Sequence, residues 1–251
     1  MKKQFKRPSV VEKVFYQKLE REIDDHIVEE TMLIQTNGEK IGQVNGLAVY
    51  TIDDYAFGRP VKITSTTYKG KQGIVDIEKA ADLSGAIHTK GIHIITGFLG
   101  YEFAQKIPLS LSCNICFEQS YGQIDGDSAS SAELYGILSS LSEVPIKQNI
   151  ATTGSVNQFG EIQPIGGVNE KIEGFFRVCH MKGLKGNEGV MIPHQNKQDL
   201  MLGEEVIEAV KNGQFHIYTI KNIWEGIEII TGVEANKVKE KVMHKLENFN
   251  S

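Results

Sequence analysis

From about Ile41 onward the chain switches between two hydrophobic periods, and that switching restricts its fold more than any other feature. Short β-rich runs come first, "VNGLAVYTI", "VKITSTTY" and "GIVDIE", separated by Gly and Asp. In the second half, strand-like "GVMIP" and "FHIYTI" alternate with segments whose apolar residues recur at helical spacing. Alternation of this kind calls for α/β packing, whereas the strand-rich first half adds antiparallel pairing. The fold class is therefore α+β, with mixed β-sheets and packed helices.

The individual elements follow from the same periods. "PSVVEKVFYQKLEREIDDHIVEE" carries a capping-box start at Ser9 and Glu12, with Val11, Phe15, Leu19, Ile23 and Ile27 every four positions: an amphipathic helix. "EKAADLSGAIHTKG" has the makings of a helix, and "GIHIITGFLG" after it continues the strand-like texture, so that His88 and His93 flank or lie in a strand. Residues 110–121 read as another strand. Leu134, Ile137, Leu138 and Leu141 set a helix over 129–143 with one buried face. "IATTGSV", a turn at "NQFG" and "EIQPIGG" make a hairpin, and helices follow from Val168, over 204–211 and through Ile223, Ile227 and Ile230. The tail carries Val238, Val242 and Leu246 among charges, a marginal surface helix. The resulting division is 1–40 (amphipathic helix and linker), 41–233 (main domain) and 234–251 (charged tail).

At 251 residues and 40% hydrophobic content the chain can bury a full core. Its net charge of −5, with no Lys/Arg stripe interleaved with aromatics, argues against a nucleic-acid partner. No apolar run approaches the length that a bilayer requires, and "MKKQFKRPSV" lacks the apolar stretch of a leader, so the expectation is a soluble, cytoplasmic protein with no membrane partner. Cys113 and Cys116 form a C-x-x-C, but on a strand residues three apart face opposite ways, which suits packing better than metal or redox chemistry. Three cysteines in all agree with a reducing compartment.

Chemistry concentrates in "IDGDSASSAELYG". Ser128 stands at the start of a helix, where a serine is ordinarily a cap, and Ser130 with Glu133 forms a capping box. The same place offers free N–H donors and positive potential, which an oxyanion beside a nucleophilic serine requires. The G-x-S-x-G elbow is half present, since Ser130 takes the second glycine's place. None of the seven histidines, at 26, 88, 93, 180, 194, 216 and 244, is singled out as its base, and they show no zinc-ligand spacing. Without histidine the base must be another group, and a neutral lysine can serve. Lys171 in "GGVNEKIEGFFRVC" lies at the edge of the apolar stripe through Val168, Ile172, Phe175, Phe176 and Cys179. Two readings stay open: a partly buried amine with a lowered pKa, or an ammonium that snorkels to water.

Taken together, "DGDSAS", "TTGSVNQFGEIQPIGGVNEKIEGF" and "GVMIPHQNKQDL" resemble the proteolytic domain of the Lon protease family, in its branch with a "GDSASSAE" serine motif. The resemblance covers roughly residues 42–233, and the 43-position separation of Ser128 and Lys171 matches the family's spacing. It implies a serine endopeptidase in which Ser128 is the nucleophile, Lys171 the general base and Thr153 the residue that orients the amine. Asp125, Gly126 and Asp127 would form the active-site turn, with backbone N–H groups of Gly126 to Ser128 holding the oxyanion; Gly126 would permit a tight backbone approach, and Gly166 and Gly167 would start the lysine-bearing helix. Asp127 and Ser130 replace the proline and glycine of the commonest pattern, and an extra carboxylate at Asp127 favours a protonated, weaker Lys171. The alternatives are a catalytically weak Lon-like module that binds polypeptide or scaffolds a partner, and a serine hydrolase using a histidine. No G-x-x-x-x-G-K-[ST] loop occurs, so no cofactor is expected in this chain, and ATP would enter only through an ATPase domain absent from this sequence. The implied partners are unfolded polypeptides, further copies of the chain in a hexamer, and an ATPase domain or subunit.

Overall fold

The computed structural model describes residues 10–53 and 55–250. Helix α1 (Val10–Val28) opens the described chain. The capping box at Ser9 and the side chains of Val11, Glu12, Phe15 and Leu19 lie outside the described residues, whereas Ile27 is fully buried. After β1 (Glu39–Lys40), the long strands β2 (Gln43–Ile52) and β3 (Tyr55–Lys69) form an antiparallel pair, and β4 (Gly73–Asp76) leads into the single-turn helix α2 (Ile77–Ala80).

Helix α3 (Ala86–Phe103) comes next and corrects one reading of the sequence. "GIHIITGFLG" lies inside this helix, so His88 and His93 are helical rather than strand residues. Its buried residues His88, Ile92, Ile95, Phe98, Leu99 and Phe103 recur at three- and four-residue steps. The run misleads because its β-branched isoleucines and small residues imitate a strand, while packing against a neighbouring helix decides the outcome.

The remainder matches the periodicity closely. Strand β5 (Leu111–Phe117) is followed by α4 (Ser130–Ser142), the short strands β6 (Ile146–Lys147) and β7 (Ile150–Thr152), and the two-stranded hairpin β8 (Ser155–Val156) with β9 (Ile162–Gln163). Helix α5 (Val168–Met181), β10 (Glu188–Pro193), a 3₁₀ stretch over His194–Asp199, α6 (Glu204–Lys211), β11 (Phe215–Ile220), α7 (Ile223–Thr231) and α8 (Ala235–Asn250) complete the chain. "IATTGSV" is thus divided: its first part joins the main sheet as β7, and only Ser155–Val156 belongs to the hairpin.

The main sheet has seven strands in the order β11-β10-β7-β2-β3-β5-β4. Parallel pairs at the β11 end and antiparallel pairs around β3 make it mixed, in agreement with an α+β class. One core joins the sheet to α3, α4, α7 and α8 through residues such as Ile63, Ile95, Leu134, Ile227 and Val242. A second joins it to α5 and α6 through Leu47, Phe175, Val190, Val206 and Phe215. Helix α8 is not the marginal surface helix that its charge suggests, because Val238, Val242 and Leu246 are buried in the first core. Lys239 binds Glu102 at 2.7 Å and lies 4.1 Å from the Trp224 ring centre, adding polar anchorage on the outer side. On the opposite side of the molecule, Arg177 of α5 pairs with Glu20 and Asp24, which docks α1 onto α5.

Two glycines set how closely α5 approaches the sheet. A Cβ added to Gly174 on α5 would strike the Gly58 carbonyl of β3, and one added to Gly58 would strike the Glu170 carbonyl. Backbone therefore packs on backbone, three residues beyond Lys171 in α5. Gly174→Ala forces the helix outward at a cost of about 1–3 kcal/mol, within the usual range for overpacking. The expected outcomes are a melting temperature lowered by several degrees in a calorimetric scan and a larger separation of Lys171 from Ser128 in a crystal structure of the variant.

Candidate active site

Ser128 lies in the turn immediately before α4, and the turn is shaped by Gly126, whose φ of +100° belongs to the left-handed half of conformational space. Nothing lies within 4 Å of a Cβ added at Gly126, so glycine serves the backbone angle here and not a close approach. The segment is then tied to the strand beside it: Gly154 N–H donates to the Ser128 carbonyl at 2.8 Å, and Ser131 N–H donates to the Gly154 carbonyl at 3.1 Å. Ser130 accepts from Val156 N–H at 3.0 Å, and Asp127 accepts from the Ser155 hydroxyl at 2.9 Å.

These bonds overturn the capping box. The N-cap residue of α4 is Ala129, Ser130 spends its hydroxyl on β8, and the Glu133 carboxylate turns inward to His88 at 3.5 Å. The helix start is held by tertiary bonds that no local motif records.

Lys171 reaches the same turn from α5. Gly167, at φ +68°, is the N-cap, and its carbonyl accepts from Lys171 N–H at 3.1 Å. The lysine is 3% exposed, which rules out the snorkelling reading. Its Nζ stands 2.9 Å from Ser128 Oγ and 3.0 Å from Thr153 Oγ1. Thr153 in turn donates its hydroxyl to the Ser128 carbonyl at 3.1 Å, so the threonine spans both partners. Burial pulls the Lys171 pKa down to about 8, against the opposing charges of Asp127 and Glu170. Asp127 thus acts in the expected direction but is outweighed by desolvation.

Asp125 makes no hydrogen bond to the amine among the described residues. Its carboxylate accepts from Ile87 N–H at 3.0 Å and His88 N–H at 3.3 Å, capping the start of α3. Hydrogen bonds from Gly126 and His88 N–H hold its pKa below the usual carboxylate range. Gly166 borders the cleft beside Gly167. No histidine reaches Ser128 among the described hydrogen bonds; His88 lies instead between Asp76, at 3.4 Å, and Glu133 in a buried cluster.

Ser128 and Lys171 open onto a cleft of about 560 Å³ walled by β2, β3 and the loop from Ser120 to Gly126. Val61, Ile63, Phe117 and Ile124 form its apolar part, with Tyr50 and Arg59 farther along β2 and β3. The loop and the Arg59–Tyr50 pair were not legible in the sequence, because no local pattern marks which strand face lines a cavity. The signal available in principle was the two-residue period of β3, which puts Arg59, Val61 and Ile63 on one face.

The sequence profile of the Lon protease (S16) C-terminal proteolytic domain matches residues 26–231. This chain belongs to the Lon protease family. A Lon protease homolog of Escherichia coli is 43% identical over 214 residues, which are 84% of this chain and 36% of that protein. One from Haemophilus influenzae is 42% identical, and the archaeal Lon protease of Pyrococcus abyssi is 31% identical over 95% of this chain and 23% of its own length. The chain therefore spans about a third or less of the Lon relatives it matches. Within the family the domain is proteolytic. No helix among the described residues is long and apolar enough to cross a membrane.

The balance at Lys171 is open to test. Asp127 raises the lysine's pKa, so Asp127→Asn lowers it further. The titration of the Lys171 amine, near pH 8 in the unaltered chain, is expected to move to lower pH in the variant, as followed by NMR between about pH 6 and 10.

Proposed function

We propose that this Lon-family proteolytic domain is a serine endopeptidase that cleaves unfolded polypeptides with a Ser128–Lys171 dyad. The observation that carries the reading is the approach of a buried amine to a serine hydroxyl at 2.9 Å. With a pKa near 8, about a tenth of the amines are neutral at pH 7, against about one in three thousand for an ordinary lysine.

In the neutral state the Ser128 hydroxyl donates to Lys171 Nζ, and the amine donates to Thr153 Oγ1. Lys171 takes the Ser128 proton as Oγ attacks the scissile carbonyl, and the resulting ammonium returns a proton to the departing amine. Water, deprotonated by the same lysine, releases the acyl group. The oxyanion meets backbone donors of the nucleophile turn. The N–H groups of Asp127 and Ser128 have no acceptor among the described residues. Thr153 is a positioning residue: its hydroxyl accepts from the amine and donates to the Ser128 carbonyl.

Substrate form follows from the sheet. Among the described residues, strand β2 pairs with β7 only through Asn45 and Gly46, so from Leu47 to Ile52 it is paired there on one side alone, by β3. A chain laid along that edge must be extended, which folded substrates do not offer. The reading further includes a cytoplasmic homo-oligomer, hexameric as the family resemblance implies, working with an ATPase domain or subunit that supplies unfolded chains.

Incubation with an unfolded casein-type substrate and a serine-directed covalent probe tests the dyad. Cleavage and labelling at Ser128 are expected, both lost in Ser128→Ala. Lys171→Arg loses turnover by a factor of about 10³ or more, since a guanidinium does not surrender its proton near neutrality. Intact substrate and no adduct would instead assign the chain to polypeptide binding alone. Thr153→Val lowers kcat by about tenfold to a hundredfold with little change in KM, as measured by initial rates.

A further inference from the structure

The cleft holds one cation for which the dyad chemistry has no use. Arg59 lies on β3, two residues from Val61 on the same strand face and so about 7 Å along the cleft from the apolar wall. Its Nη2 donates to the Tyr50 hydroxyl at 2.8 Å, and the guanidinium stands 4.2 Å from the Tyr50 ring centre. No carboxylate pairs with it among the described residues, and its Nε is buried with no hydrogen-bond acceptor. The one carboxylate lining the same cleft among the described residues, Asp125, is taken by the backbone of α3. In a chain with net charge −5, a half-buried guanidinium left without a counter-charge on a cavity wall is an anion site awaiting its anion.

We propose that Arg59 and Tyr50 form a subsite that selects an acidic side chain in the bound polypeptide, one or two residues from the side chain held by Val61, Ile63 and Phe117. Stacking on Tyr50 and the bond to its hydroxyl fix the guanidinium plane, so the remaining N–H groups of its two Nη atoms meet a Glu or Asp carboxylate as a fork, which a neutral isostere cannot match. The subsite deepens the peptidase reading of this cleft and rests on it for its effect on turnover, but not for its effect on binding.

Paired fluorogenic peptides that differ only by Glu or Gln, placed in turn at each of the positions flanking the cleaved bond, provide the test. At one position the wild-type chain is expected to favour Glu by about tenfold in kcat/KM, and raised salt narrows the preference. Arg59→Met brings the ratio close to one, and Arg59→Lys, which keeps the charge without the fork, leaves a fraction of it. Should Arg59→Met fail to fold, Tyr50→Phe, which frees the guanidinium, must also lower the ratio. The same peptides titrated by fluorescence anisotropy onto Ser128→Ala separate this proposal from the peptidase reading: a Glu preference in binding that Arg59→Met removes upholds the subsite even if no cleavage is found. Equal handling of Glu and Gln at every position, or an unchanged ratio in Arg59→Met, overturns it.

Discussion

Everything at the site depends on one buried amine. Lys171 is removed from water and given two hydroxyls in exchange, those of Ser128 and Thr153, at 2.9 and 3.0 Å. An ammonium in such a place loses hydration that two neutral acceptors do not replace, and the proton becomes easier to remove. That single imbalance turns a helix-start serine into a candidate nucleophile. It also explains why the helix bearing the lysine lies so close to the sheet: the Gly58–Gly174 contact and the left-handed Gly167 bring α5 near enough for the amine to reach across.

The carboxylates around the turn have separate tasks. Asp125 caps α3 from outside, Asp127 accepts from Ser155 and tempers the lysine, and Glu133 faces His88 from inside α4. Burial pushes Glu133 up to about 7, with His88 opposing. For His88 burial works downward, yet Asp76 and Glu133 outweigh it and its pKa rises. This internal cluster joins α3 to α4 near the turn that carries Ser128. It is a polar strut within the core held by charge at 3.4 and 3.5 Å, while Asp76 Oδ2, His88 Nε2 and Glu133 Oε1 are buried without a hydrogen-bond partner among the described residues.

The departures from the commonest Lon pattern acquire a shared meaning in three dimensions. Asp127 and Ser130 stand where proline and glycine are usual, and both bond to β8, one to the Ser155 hydroxyl and the other to Val156 N–H. Proline and glycine would stiffen or bend the turn from within. Here the turn is fastened from its neighbour instead, and the added negative charge at Asp127 raises the Lys171 pKa by less than burial lowers it.

Periodicity alone determined most of the elements, among them the helices from Val168 and over 204–211 and the strands "GVMIP" and "FHIYTI". The spacing of Ser128 and Lys171, with the motifs around them, was equally open to reading. Tertiary structure decided the rest. Whether "GIHIITGFLG" is strand or helix, whether Val238, Val242 and Leu246 are buried, whether Ser130 caps its own helix or bonds to β8, and whether Lys171 meets water or Ser128 are all settled by partners distant in sequence. Local pattern states which side chains seek burial; only the folded chain states what they are buried against, and the protonation of a lysine depends on the second.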